Sequence, residues 1–388
     1  MPNNRYRKRY VFTAAAIGML LFGIVMISLG SILPDITSKF QLDEAKAGFL
    51  LTLLPTGILL GSLVFGPLVD WLSYKRILIA GSLATLVGIE GIVTSETSVF
   101  LHLSVFCIGL GGGILNGITN SLVSEISEED HSANLSLLGV FFGVGALGTP
   151  VVLGLLNSVY SFETIFSVLG ALIVLPVLYF SMISFPKSVG TMRLPISAGL
   201  KMVKDPLILL FGFILFFQSG MEGLTNNWIT TYLETVNIEG STALFILSSF
   251  VGAITITRVV LGKVLRIFKP LKVMVLGYLI AFVGGLCLLY GGSHFLIVAG
   301  VVGLGVGMAS GFPVVLGYIG QLYTHLPGTA FSIVITIALI GNVFANYLMG
   351  QVSHYYGTQV LPYFILSSIL AALLLLYFTN NKYNTKIN

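Results

Sequence analysis

Ionisable side chains are scarce in this chain, so those set inside apolar sequence stand out. Three lie well inside the long apolar runs: Glu90, Glu222 and Arg258. An ionised group within a bilayer is costly and is kept where it faces a cavity or a partner. Glu222 sits in a polar stripe. Gln218, Glu222 and Asn226 follow one another at i, i+4 and i+8, which is one face of a helix. Thr225 lies at i+3 from Glu222, and Asn227 and Trp228 follow toward the outer end. Carboxylates and amides hydrogen-bond hydroxyl groups. An indole packs on the apolar face of a ring and keeps its N–H available. The stripe therefore suits a polyhydroxylated ligand, with Glu222 as hydroxyl acceptor or cation-coupling group. The simpler alternative has Glu222 bonding a neighbouring helix and Trp228 anchoring at the membrane interface.

Three further sets share this logic. Asn116 and Asn120 are spaced i, i+4 on the fourth apolar run, and Asn342 and Asn346 repeat the spacing on the eleventh. Tyr318 and Gln321 close the tenth. All but Gln321 are taken as substrate-binding candidates, against the alternative of interhelical hydrogen bonds worth about 1 kcal/mol each. Glu90 falls on a scaffold span, where a structural or protonated carboxyl is expected. Arg258 lies toward the cytoplasmic end of its span, where a gating or structural role is expected. The five histidines fall near span ends or in a loop, and no Ser/His/Asp or metal-spaced cluster appears. Cys107 and Cys287 read as small core residues. These observations predict no enzyme, no metal and no cofactor beyond a coupling ion, H+ or Na+.

The elements that position these groups follow from composition. Charged residues make up 9% of the chain, hydrophobic residues 56%, and mean hydropathy is +0.98. Soluble domains carry roughly 25% charge, so most of this surface must face lipid. In lipid every backbone polar group is satisfied internally, which leaves helices or a closed barrel. The segments run apolar for about twenty residues instead of alternating, which selects helices. The spans read at about 10–33, 45–69, 77–95, 99–124, 133–158, 162–183, 207–233, 242–262, 271–291, 294–318, 328–352 and 358–379. With both termini cytoplasmic, sixteen of the nineteen Lys and Arg fall inside, Lys39 and Lys46 fall outside, and Arg258 is within a span. That bias is the one expected of inner loops.

The longest polar connection, Pro186 to Asp205, divides the chain into a six-helix bundle at 1–183, a cytoplasmic linker at 184–205 and a second bundle at 206–388. Leu200, Lys201, Met202, Val203 and Lys204 read as a short amphipathic piece on the membrane surface. No loop could hold a soluble nucleotide-binding domain and no P-loop occurs, so ATP is not the expected energy source. Gly109-Leu-Gly-Gly-Gly-Ile-Leu-Asn-Gly117 matches Gly303-Leu-Gly-Val-Gly-Met-Ala-Ser-Gly311 at a spacing of 194 residues. The match supports two parallel halves. The expected fold is an all-α membrane protein of twelve transmembrane helices in two pseudo-symmetric six-helix bundles.

Between the second and third spans stands Gly66-Pro-Leu-Val-Asp70-Trp-Leu-Ser-Tyr-Lys75-Arg76. It resembles the signature of the major facilitator superfamily, with Trp71 and Ser73 where Arg and Gly are usual. The resemblance implies gating roles for Asp70, Lys75, Arg76 and, at the end of the eighth span, Arg258. Ser136–Pro150, the Gly220–Leu233 stretch with Glu222 and Trp228, and Arg258–Gly262 are similar to the fucose permease-like sugar-porter branch. That branch often carries an acid in its fourth helix, which it relates to proton coupling; here Asn116 and Asn120 leave the helix neutral. The resemblance implies a cation-coupled sugar symporter of the plasma (inner) membrane, monomeric, with a small-molecule substrate and lipid as partners and no nucleic acid. Export of drugs or other hydrophobic compounds and uniport are the alternatives.

Overall fold

The computed structural model describes residues 6–127, 131–186, 202–323 and 327–387. The regular elements among them are helices: α1 (Lys8–Ser31), α2 (Leu33–Phe40), α3 (Glu44–Trp71), α4 (Tyr74–Thr94), α5 (Ser98–Ile126), α6 (His131–Leu156), α7 (Phe162–Leu172), α8 (Val174–Met182), α9 (Pro206–Glu234), α10 (Gly240–Ile267), α11 (Pro270–Tyr290), α12 (His294–Met308), α13 (Gly311–Leu322), α14 (Pro327–Tyr356) and α15 (Leu361–Ile387), with one 3-10 turn at Thr358–Val360. Among the described residues, twelve helical stretches are long and apolar enough to cross a membrane, and each falls on one of the expected spans. Leu200 and Lys201 of the expected amphipathic piece, and Lys187 and Arg193, lie outside the described residues, while Val203 and Lys204 are exposed.

Short polar side chains set the helix starts. Thr97, Ser161 and Ser293 each accept from the backbone N–H three residues on. Asp205 accepts from Leu207 N–H at 2.8 Å, just before Pro206 opens α9. Each supplies an acceptor that the first helical turn lacks. Asp43 accepts from the Lys46 N–H at 2.8 Å, and that bond holds its carboxyl below the usual carboxylate range.

Three elements differ from the expected spans. The first run stops at Ser31, and Pro34 opens the separate helix α2. The sixth span is divided at Ile173 and the tenth at Ala309–Ser310. Pro176 and Pro313 lie four residues beyond Leu172 and Ala309 and have no N–H to offer those carbonyls, which interrupts the helical bonding there; apolar periodicity alone does not show it.

The chain forms two compact units. One comprises Met1–Leu42, Leu50–Met192 and Gly240–Leu244; the other comprises Asp43–Phe49, Arg193–Glu239 and Phe245–Asn388. In the first, α1 packs on α5 and α6, and α4 on α5; in the second, α9 packs on α14 and α15, and α11 on α12.

Glycines make the close approaches. In the first unit Gly109 and Gly113 lie against α3, where a Cβ would strike the carbonyls of Leu54 and Ile58, and Gly111 lies against Gly81 and Thr85 of α4. In the second unit Gly305 lies against Phe250 and Ala253 of α10, while Gly307 meets Gly277 and Ala281 of α11. In packing, Gly109 therefore corresponds to Gly305 and Gly111 to Gly307. The 194-residue match is two residues out of register with the packing. Alternate helix positions point about 200° apart, so a slip of two exchanges the neighbours that each glycine meets. A Gly-x-Gly-x-Gly string matches itself equally well in either register.

Candidate functional site

The chemistry of the second unit gathers on α9, which runs unbroken for 29 residues. One flank of α9 carries a charged cluster. Glu222 Oε1 lies 3.6 Å from Arg258 Nη2 of α10, an ion pair too long to be a hydrogen bond. Gln218 Nε2 donates to Glu222 Oε2 at 3.3 Å and to the Met308 carbonyl at 2.9 Å. Arg258 Nε lies 3.4 Å from the Ala309 carbonyl, to which it donates. Met308 and Ala309 stand at the division between α12 and α13, where helical bonding lapses and carbonyls need other donors. Gln218 and Arg258 supply them. Broken spans with such satisfied carbonyls are where membrane transporters place ligand and ion sites.

This cluster keeps polar capacity in reserve. Gln218 Oε1, the Ser310 hydroxyl and the Tyr278 hydroxyl are buried and have no hydrogen-bond partner. The Tyr278 hydroxyl is near enough to Glu222 to feel its charge. The side chains of Glu222 and Arg258 are 19% and 30% exposed, so the pair is reachable from outside the packed interior.

The other flank of α9 carries a neutral network against α14. Asn346 Oδ1 accepts from Asn227 Nδ2 and from Trp228 Nε1, both at 3.1 Å. Asn346 Nδ2 donates to Asn342 Oδ1 and to the Asn342 carbonyl, both at 2.9 Å. Asn342 Nδ2 donates to the Ser219 carbonyl at 3.1 Å. Gly220 and Gly223 allow the approach: Gly220 lies against Gly341 and Ala345, and Gly223 against the Asn342 amide. Trp228 is 1% exposed, so its indole is held inside this contact. Asn226 is half-buried, and its Oδ1 has no partner.

The structure thus divides the expected stripe. Gln218, Glu222 and Arg258 come together; Asn227, Trp228, Asn342 and Asn346 come together elsewhere. Tyr318 joins neither group. It stacks on Phe211 with ring centroids 5.7 Å apart, and Phe211 lies eleven residues before Glu222, about 16 Å along the helix axis. In the first unit Asn120 Nδ2 donates to the Asn116 carbonyl at 2.8 Å and to Asn116 Oδ1 at 3.0 Å, leaving both amides half-buried. Glu90 accepts from the Ser167 hydroxyl at 3.0 Å, which ties α4 to α7. Of the expected gating residues, Lys75 donates to the Ser181 carbonyl at 2.6 Å, and Arg76 is exposed with its backbone N–H on the Ser73 cap. The side chain of Asp70 lies outside the described residues.

Sequence reasoning placed Arg258 at a gate and did not join it to Glu222. It passed over Tyr278 and Ser310 altogether. Arg258 could have been found by charge balance, since it and Glu222 are opposite charges in apolar spans of the same half; a lone tyrosine or serine in an apolar run carries no such signal.

Residues 15–292 and 211–388 match the family model of the Major Facilitator Superfamily. Among curated relatives, the protein called "Uncharacterized transporter y4wD" of Sinorhizobium fredii is 27% identical over 311 residues, 77% of this chain and 79% of that one. The glucose/mannose transporter GlcP of Bacillus subtilis is 23% identical over 346 residues, 84% of each. Similarity to the TsgA homolog of Buchnera aphidicola, 29% identical, spans only about a third of that protein, 34% of each chain. Among solved structures, the nucleoside transporter NupG superposes with a TM-score of 0.81 at 15% identity, covering 96% of this chain and 99% of NupG. A D-xylose-proton symporter gives 0.78 at 15% identity over 95% and 97%. The family match covers nearly the whole chain, and the twelve apolar helices accord with it: the chain is an integral membrane protein of the Major Facilitator Superfamily, a family of transporters.

Proposed function

We propose that this chain is a secondary active transporter for a sugar or similar small polar solute, working by alternating access and coupled to a cation, in the plasma (inner) membrane with both termini cytoplasmic. The observation that carries the reading is the Glu222–Gln218–Arg258 cluster at the broken tenth span, with unpartnered polar atoms around it. A sugar hydroxyl both donates and accepts. The cluster offers a carboxylate that accepts, a guanidinium that donates, and amide and hydroxyl groups that complete the set. Asn116 and Asn120 offer amides of the same kind on the first unit. The similarity to GlcP, a glucose/mannose transporter, supports the same class of solute.

Coupling follows from the looseness of the ion pair. A proton on Glu222, or Na+ against it, cancels the carboxylate charge and weakens its hold on Arg258. The two occupancy states then favour different conformations, which is what coupling requires. Purified protein in liposomes, tested with labelled glucose, mannose and xylose under an imposed proton or sodium gradient, measures this directly. Gradient-driven accumulation of one of these sugars is expected. Stabilisation of the protein by hydrophobic cations with no sugar uptake would overturn the sugar reading.

Uniport is the second reading, because Glu222 already has Arg258 as its counter-charge and the fourth span is neutral. Sugar exchange with no accumulation under either gradient decides for it.

A further inference from the structure

We propose that a groove at the lysine-bearing end of α11 binds an anionic glycerophospholipid. The groove has a volume of about 800 Å³, within the roughly 300–1,000 Å³ typical of ligand sites. It lies wholly in the second unit, between α11, α13 and α15. Lys269 and Lys272 stand on its rim and are exposed. Leu276, Leu279 and Leu376 form its apolar wall, Leu276 being 60% exposed, and Tyr377 flanks it at 63% exposed. Tyr318 closes the inner side, held by its stack on Phe211.

The order of these groups along the membrane normal matches one molecule. Pro270 begins the first turn of α11, so Lys269 and Lys272 sit at the water-facing end of the span, and Leu276 and Leu279 lie one and two turns deeper. A phosphate at the lysines would set its acyl chains along the leucines. A phenol at the depth of Tyr377 suits the headgroup boundary. The helix start adds to the attraction: no side chain caps α11, so the positive end of its dipole faces the same rim.

Charge complementarity selects the anionic class. From Gly240 to Asn388 the sequence contains no Asp or Glu, yet it carries Arg258, Lys263, Arg266, Lys269, Lys272, Lys382 and Lys386. Arg258 is paired with Glu222 on α9. The groove lysines therefore have no acidic neighbour within their own stretch of chain, and basic pockets between spans are sites for acidic lipid headgroups. The leucine wall distinguishes a lipid from a free phosphate.

The test titrates the purified full chain in detergent with dioleoylphosphatidylglycerol, dioleoylphosphatidylcholine or glycerol 3-phosphate, reading the thermal midpoint, with bound lipid counted by native mass spectrometry. Phosphatidylglycerol is expected to raise the midpoint with one tightly bound copy, and the other two are expected to have little effect. K269Q/K272Q should weaken that titration roughly 10- to 30-fold, the effect of two lysines at an anionic headgroup. L276W, which fills the wall and keeps every charge, should weaken it as well. K263Q/R266Q, basic positions at the same end that do not line the groove, should leave it unchanged. Equal stabilisation by phosphatidylcholine overturns the proposal. So does full stabilisation by glycerol 3-phosphate, an unchanged titration in both groove variants, or an equal loss in K263Q/R266Q, which would mean diffuse surface charge.

Discussion

The two flanks of α9 use similar residues to opposite ends. Toward α14 the network is neutral: Asn346 uses its oxygen twice and its nitrogen twice, and Asn342 caps the Ser219 carbonyl. Toward α10 and the broken tenth span the cluster is charged and incomplete. Its ion pair is 3.6 Å long, and Gln218, Ser310 and Tyr278 each keep a polar atom without a partner. The neutral network has its own open atom, Asn227 Oδ1, but its Asn342 and Asn346 amides are bonded across the helix contact and bind the helices to each other. A charged cluster with capacity left over can change partners when a solute or ion arrives. Residue type alone does not separate the two roles, since amides occur in both; the ion pair does.

This contrast can be broken or sharpened by substitution. The largest effect is expected from Glu222→Gln. Under an imposed ion gradient the accumulation ratio should fall to about one while exchange of solute across liposomes persists; a variant that still concentrates solute would remove Glu222 from coupling. Next comes Asn346→Leu, which strands Asn227 and Trp228 as buried donors. Thermal or denaturant unfolding in detergent should show a loss of about 1–3 kcal/mol, with transport per folded molecule retained. A smaller effect is expected from Ser310→Ala. Its hydroxyl has no partner, so stability should hold within about 0.5 kcal/mol, while the KM for solute rises about 3- to 10-fold if that hydroxyl meets solute, a change of roughly 1 kcal/mol. A stability loss without a KM change would place Ser310 with the groups that bind helices to each other. The smallest effect is expected from Asn120→Ala. Its bonds run to Asn116 on the same helix, so unfolding should shift by about 0.6 kcal/mol or less.

Much of the fold was legible because a bilayer imposes a simple rule: about twenty apolar residues make one span, and every described span falls where such a run occurs. The division of the tenth span was only partly legible. Pro313 lacks the N–H that would bond the Ala309 carbonyl, a local sign that the reading of the span passed over, whereas Gln218 and Arg258, which supply donors there, lie on other helices and carry no local signal. The register of the glycine repeat was misread for a related reason, since only the neighbours of Gly109 and Gly111 distinguish a shift of two. In the site, helical spacing placed Gln218 and Glu222 on one face, and their side chains do meet. The same spacing could not say that Asn227 and Trp228, one and two positions after Asn226, turn to α14. A hundred degrees per residue carries neighbours to a different helix.

Arg258 touches two negative partners of different kinds. One is the Glu222 carboxylate; the other is the carbonyl end of α12, whose partial negative charge belongs to the backbone. A guanidinium in a membrane span cannot shed its proton, so it needs some counter-charge at every stage of a cycle. The broken helix provides a permanent one. Removing the Glu222 charge, as in the Glu222→Gln variant, thus leaves the arginine moored to the Ala309 carbonyl rather than stranded.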